Sequence, residues 1–202
     1  MNRILILFAH PRFEQSRINR VLVDHLPTED GITFHDLYEE YTDFSIDVER
    51  EKQLLLDHDL IIWHHPLYWY SAPPLLKQWI DMVLEFKWAY GPGGNALAGK
   101  YIFNVFTSGG PPEAYRPDGR NRYTINEFFR PFEQTARLCQ MHYLPPFGEQ
   151  GSHRLSWDEL MHAGADYGNL LHLLLAEPLN PESFKDYTSM NDWLEDRKIN
   201  VL

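Results

Sequence analysis

Three separate stretches of this 202-residue chain concentrate the residues best able to do chemistry. "AHPRFEQSRIN" places His10, Arg12, Ser16, Arg17, Ile18 and Asn19 around the predicted start of a helix. Amides exposed at such a start, with hydroxyl and carboxamide donors and a nearby cation, can hold phosphate oxygens. "HPLYWYSAP" brings Pro66, Leu67, Tyr68 and Trp69, a flat aromatic wall with backbone hydrogen-bonding groups. "TSGGPPEAY" brings Thr107, Ser108, Gly109 and Gly110, where small residues let backbone approach a planar group, and then Tyr115. A phosphate at one end and a heteroaromatic ring at the other describe a mononucleotide cofactor, with FMN one of several that satisfy the pattern. Plainer roles stay open at this point. Ser16 can simply cap its helix, His10 can be structural, and Tyr68–Tyr70 can form a subunit interface.

Other chemistries find less support. The first loop is neither "GxxxxGK[ST]" nor "GxGxxG", which counts against an ordinary nucleotide triphosphatase or dinucleotide site. His64 and His65 are adjacent on a predicted strand, so their side chains point to opposite faces, and no thiol pair lies nearby. The acidic residues Glu39, Glu40, Asp43 and Asp47 read as solvated surface, so no metal is expected. Cys139 in "ARLCQMHYL" has an apolar setting and no identifiable base, which makes it a core thiol.

The formal charge of −11 disfavours nucleic acid and anionic membrane surfaces as general partners. A single cysteine excludes an intramolecular disulfide framework and agrees with a reducing cytoplasm. No uninterrupted apolar segment approaches the roughly 20 residues that cross a bilayer. The amino end reads as a first strand, not as an export peptide.

The elements that must position these loops alternate. "RILILFAH", "ITFHDLY", "DLIIWHH", "YIFNVFTS" and "CQMHYLPPF" are strand candidates, and the first and third share a continuous apolar core that suits strands covered on both faces. Between them lie the helical patterns "SRINRVLVDHL", "DVEREKQLLLDHD", "PPLLKQWIDMVLEF" and "INEFFRPFEQTARLC", the last kinked near Pro131. "SWDELMHAGADYGNLLHLLL" follows, with Ser156 and Glu159 in a capping-box pattern. Leu75, Leu76, Trp79, Ile80, Val83 and Leu84 form one apolar helical stripe, so Trp79 is expected in the core. Five strands alternating with five helices give a doubly wound, three-layer α/β domain. All three chemical loops then follow strands 1, 3 and 4 and meet at one sheet edge, where such folds bind ligands.

"FAHP", "SRIN", "HPLYWYSAPPLLKQWID", "YGPGGNALAGK" and "TSGGPPEAY", in that order, resemble the flavodoxin-like NAD(P)H quinone oxidoreductases. The likeness is greatest to the ancillary oxidoreductases of glutathione-regulated potassium-efflux systems and covers residues 3–175. The resemblance implies a five-stranded parallel sheet of order 2-1-3-4-5 with helices on both faces, bound FMN, and a homodimer. By family pattern His10, Ser16, Arg17, Ile18 and Asn19 serve the phosphate end of the cofactor. Pro66, Leu67, Tyr68 and Trp69 border its ring, and Thr107, Ser108, Gly109 and Gly110 close the other side. Tyr115 matches a tyrosine that stabilises reduced flavin in the mammalian quinone reductases, while the histidine accompanying it there falls near Asn121 here.

The implied activity is two-electron reduction of a quinone by NADH or NADPH, with hydride transfer through flavin. Gly109 and Gly110 amides and Tyr115 would stabilise the charge that develops. A flavin-bound regulatory subunit of a membrane potassium-efflux antiporter is the rival, and an electron-shuttling flavodoxin is a more distant one. The expected location is cytoplasmic, at the inner face of the cell membrane if such a partner holds it. Residues 1–175 are assigned to the FMN-binding domain. Residues 176–202, polar and punctuated by Pro178 and Pro181, form an extension packed on the domain or at an interface.

Overall fold

The architecture is taken from a computed structural model, which describes residues 1–199. Four strands, β1 (Ile4–Phe8), β2 (Ile32–Asp36), β3 (Leu60–Pro66) and β4 (Tyr101–Thr107), run parallel. The sheet order is β2-β1-β3-β4-β5, the flavodoxin-like arrangement. β1 and β3 are buried at every position, which explains the apolar runs Ile4–Phe8 and Leu60–Trp63.

The fifth position departs from the single strand expected over "CQMHYLPPF". It is divided into β5 (His142–Tyr143) and β6 (Phe147–Glu149), which pair with opposite ends of β4. The interruption contains Pro145 and Pro146, which have no N–H to continue a ladder. The consequence for the site is direct, because β6 carries the chain that follows it up to the carboxyl end of β4.

Alternation along the strands sorts the core into two layers. Leu5, Leu7, Ile61 and Trp63 face one apolar cluster with α3 (Val48–Asp57), α4 (Pro74–Val83) and α6 (Arg130–Leu138). Ile4, Ile6, Leu60 and Ile62 face the other, with α1 (Arg17–Asp24) and α7 (Trp157–Ala176). Trp79 lies in the first cluster at 1% exposure, as its helical stripe requires. Short α2 (Leu37–Glu40) follows β2. The segment expected to kink near Pro131 breaks one residue pair earlier. α5 (Ile125–Phe128) and α6 are separated at Phe129, and Pro131 occupies the first turn of α6. Ser156 and Glu159 complete the capping box of α7.

Beyond α7 the chain forms α8 (Met190–Ile199). Phe184, Met190, Trp193 and Leu194 are buried with the α1/α7 layer. The Asn191 side chain bonds both backbone groups of Gly148 on β6, accepting from its N–H at 2.9 Å and donating to its carbonyl at 3.3 Å.

Candidate functional site

The order β2-β1-β3 means that the chain leaves β1 in one direction for β2 and returns past it to build the rest of the sheet. A crevice opens between the carboxyl ends of β1 and β3, the place where open α/β sheets take ligands. Here the structure holds a cleft of about 300 Å3. Its lining brings together His10, Ser16, Ile18, Asn19, Pro66, Leu67, Tyr68, Thr107, Ser108 and Gly109 from all three loops. Arg12 also lines it, whereas Arg17, Trp69, Gly110 and Tyr115 stand outside. The Arg17 guanidinium instead donates to the Leu155 carbonyl at 3.2 Å.

Ser16 is the cap of α1, and its Oγ accepts from the Asn19 backbone N–H at 3.2 Å. Asn19 is buried, and its carboxamide nitrogen reaches Ser16 Oγ at 2.9 Å and Thr107 Oγ1 at 3.0 Å. On the opposite side its Oδ1 is 3.1 Å from His64 Nε2. His10 accepts from the Arg12 N–H at 3.1 Å through Nδ1, and burial holds its imidazole below the usual histidine range. The donors around the mouth of α1 are therefore hydroxyls, backbone amides and arginine, with a neutral histidine beside them.

The wall above the cleft is a tight hairpin. Tyr68 and Ser71 exchange two 3.0 Å backbone bonds, and the Leu67 N–H donates to the Thr107 carbonyl at 2.7 Å. Trp69 and Tyr70 form the turn with φ of 50° and 64°, both in the left-handed region that non-glycine residues avoid. Trp69 is 93% exposed at the tip.

Opposite, the Ser108 hydroxyl donates to the Gly110 carbonyl at 2.9 Å and so shapes the glycine turn. A β-carbon at Gly110 would stand 2.9 Å from the Tyr115 ring, and one at Gly109 would meet His153 at the same distance. Tyr115 thus packs directly against the turn, but its ring lines a neighbouring 340 Å3 cavity with Gln150 and Asn191.

Three lining residues, Gln15, Ser152 and His153, were not singled out in the sequence. The latter two arrive because β6 pairs with the end of β4. The Gly151 and Ser152 N–H groups donate to the Gly110 and Ser108 carbonyls at 2.9 and 3.0 Å. A glycine following "PPF" was the sole sequence signal, and it does not identify that pairing. Beneath this loop, burial raises the Glu149 carboxyl to about 7, with Asp166 adding to the effect.

The buried histidines divide as the strand alternation requires. His64 faces Asn19 and Tyr167, and burial lowers it to about 3. His65 faces Asn104, 2.9 Å away, and burial lowers it to about 4. Cys139 is buried and its thiol is raised to about 11, far from the range of a thiolate nucleophile. No group of histidine, cysteine and acidic residues that could hold a metal ion occurs among the described residues. Among them, no helix is long and apolar enough to cross a membrane.

The chain is similar to several known proteins. The glutathione-regulated potassium-efflux system ancillary protein KefG of Cronobacter sakazakii is 47% identical over 90% of this chain and 97% of its own length. The general stress protein 14 of Treponema denticola, solved in complex with FMN, is 39% identical with a TM-score of 0.79, covering 85% of this chain and 99% of that one. An NADPH-quinone reductase from P. pentosaceus is 33% identical with a TM-score of 0.77, covering 88% and 99%. A chain from a structure described as a tryptophan halogenase from Streptomycin violaceusniger is 42% identical with a TM-score of 0.80, covering 87% and 99%. The family model described as Flavodoxin-like fold matches residues 2–171, and the chain belongs to that family.

Proposed function

We propose that the cleft binds FMN and that the protein is an NAD(P)H:quinone oxidoreductase. The observation carrying this reading is the convergence of three loops on one crevice. Hydroxyl, amide and arginine donors around the start of α1 stand at one end, and a narrow glycine turn faces an aromatic hairpin at the other. The fit is chemical as well as spatial. A phosphate suits the Ser16 and Thr107 hydroxyls, the first-turn amides of α1 and Arg12. A planar ring system suits the space beside Gly109, where a side chain would collide with His153. The FMN complex of the Treponema denticola relative and the P. pentosaceus quinone reductase add support.

FMN, when bound, supplies the two-electron chemistry that couples a nicotinamide donor to a quinone. The chain's own residues hold and orient the reactants. Backbone groups of Pro66–Tyr68 and Thr107–Gly110 would fix the two edges of the ring, and the Gly109 and Gly110 amides would offset developing negative charge. Tyr115, packed on Gly110, would present its hydroxyl as a proton donor beyond that turn. It would do so without a histidine partner. Position 121 is asparagine, and its Oδ1 accepts from the Tyr70 hydroxyl at 3.4 Å.

The similarity to KefG supports a second role, compatible with the first, as a subunit that attaches to a potassium-efflux system at the cytoplasmic face of the membrane. The exposed Tyr68, Trp69 and Tyr70 would lie at or beside a homodimer seam bordering the cleft. Acid release and mass identification should recover about one FMN per chain from reconstituted protein. Anaerobic stopped-flow mixing with NADH or NADPH should bleach the flavin, and menadione should restore it. Correctly bound FMN that neither nicotinamide reduces would reject the enzyme reading and leave the regulatory one.

A further inference from the structure

The carboxamide of Asn19 sits at the centre of a buried polar chain whose direction can be worked out atom by atom. Its nitrogen carries two hydrogens, and they are directed to Ser16 Oγ and Thr107 Oγ1 at 2.9 and 3.0 Å. Its oxygen faces His64 Nε2 at 3.1 Å, so His64 must carry its proton on Nε2. His64 Nδ1 is then an acceptor, and the atom facing it at 3.5 Å is the Tyr167 hydroxyl. The ring is fully buried and packs edge-on against both Phe8 and Tyr167, which leaves it little rotational freedom.

The polarity at the cleft end follows by counting lone pairs. Ser16 Oγ accepts from both the backbone N–H and the side-chain nitrogen of Asn19, which occupies its two acceptor positions. Its own hydrogen has to point away from Asn19. Thr107 Oγ1 likewise accepts from Asn19 and keeps its hydrogen for another partner. Both residues line the cleft. With the amide turned the other way, the two hydroxyls would donate inward to Oδ1 and present lone pairs to the cleft, the wrong polarity for an anion.

We propose that His64 is a positioning residue which, by donating to Asn19 Oδ1, fixes the Ser16 and Thr107 hydroxyls as donors to the phosphate of the bound flavin. This rests on the FMN reading above. His64 does not itself line the cleft and meets its lining through Asn19, so its effect passes through the orientation of that carboxamide. The neutral state needed for a one-way chain agrees with its burial. Removing the imidazole would free Oδ1 to turn toward the hydroxyls, so more than one donor to the phosphate would be lost together.

The test compares two flavins on full-length protein stripped of cofactor. Binding of FMN and of riboflavin, which lacks the phosphate, is titrated by flavin fluorescence for the wild type, His64→Leu and His64→Gln. The glutamine carboxamide can donate to Asn19 Oδ1 as the imidazole does. Loss of donors to an anion should weaken FMN binding by about tenfold or more in His64→Leu. Riboflavin binding should stay within about twofold, which also shows that the variant is folded, and His64→Gln should restore most of the FMN affinity. Equal losses for both flavins would make His64 merely structural and overturn the proposal, as would unchanged FMN binding in His64→Leu. A wild type that binds riboflavin as tightly as FMN would be a different failure. It would remove the phosphate site itself, and the proposal with it.

Discussion

The ring of Tyr70 lies nearly parallel to that of Phe128, with centroids 4.9 Å apart and planes 21° from each other. This stack joins the hairpin tip to α5, and the 3.4 Å contact from the Tyr70 hydroxyl to Asn121 joins it to the loop after Tyr115. Tyr70 therefore keeps its left-handed backbone in exchange for contacts, whereas its neighbour Trp69 projects outward at 93% exposure. A left-handed non-glycine residue costs roughly 1–2 kcal/mol.

Trp69→Gly should therefore leave thermal stability unchanged or raise it by up to about 1 kcal/mol. Its ring has no role in holding the hairpin together. If the ring borders the ligand or a subunit seam, menadione turnover or dimer affinity should fall in the same variant. Thermal melts, sedimentation and steady-state rates together separate these effects. A clear loss of melting temperature would show that Trp69 supports the fold.

A second expectation concerns Glu51, fully buried at the meeting of β2, α3 and α4. Its carboxylate accepts from Tyr41 Oη at 2.5 Å, His35 Nε2 at 2.7 Å and Trp79 Nε1 at 2.7 Å. Burial by itself would raise this carboxyl, but the bonds from His35, Tyr41 and Trp79 outweigh it and hold it below the usual carboxylate value of 4.5. A folded value below the unfolded one adds stability that is present above pH 4.5 and is lost as pH falls through the lowered value. Glu51→Gln should cost about 2–4 kcal/mol in urea unfolding at pH 7 and lessen the acid sensitivity. FMN affinity should not change, because none of these four residues lines the cleft.

Glu149 has the opposite sign. Its folded value of about 7 lies above the ordinary 4.5, so the stability it contributes is full below pH 4.5 and is lost as pH rises through 7. Glu149→Gln should equal the wild type at pH 5 and exceed it by about 2 kcal/mol at pH 8. Urea midpoints at the two pH values measure this. A variant destabilised equally at both would show that the carboxyl is held by bonds and not penalised by burial.

Much of this was legible from the chain, for physical reasons that can be named. Apolar runs such as "ILILF" and "LIIW" suit a strand covered on both faces, and their parallel order puts the three loops at one edge. Ser16 and Asn19 could be placed because a helix cap is a local matter of three residues. The split at Pro145–Pro146 was less visible, since whether the chain rejoins the sheet after two prolines depends on what lies beside it. Ser152 and His153 were missed for the same reason. The sequence also suggested Asn19 as a phosphate donor, yet its side-chain hydrogens are directed to Ser16 and Thr107. That distinction depends on a histidine 45 residues away.

The Asn191 carboxamide on Gly148 has a consequence for how molecules of this protein meet one another. An outer strand normally offers its unpaired N–H and C=O groups to any extended chain that drifts alongside. Here a side chain from α8 imitates the neighbour that such a strand invites, taking both groups of one residue, while the two prolines just before β6 offer no N–H at all. At Gly148 the border of the sheet is thus blocked to strand-to-strand pairing without a further strand being spent on it.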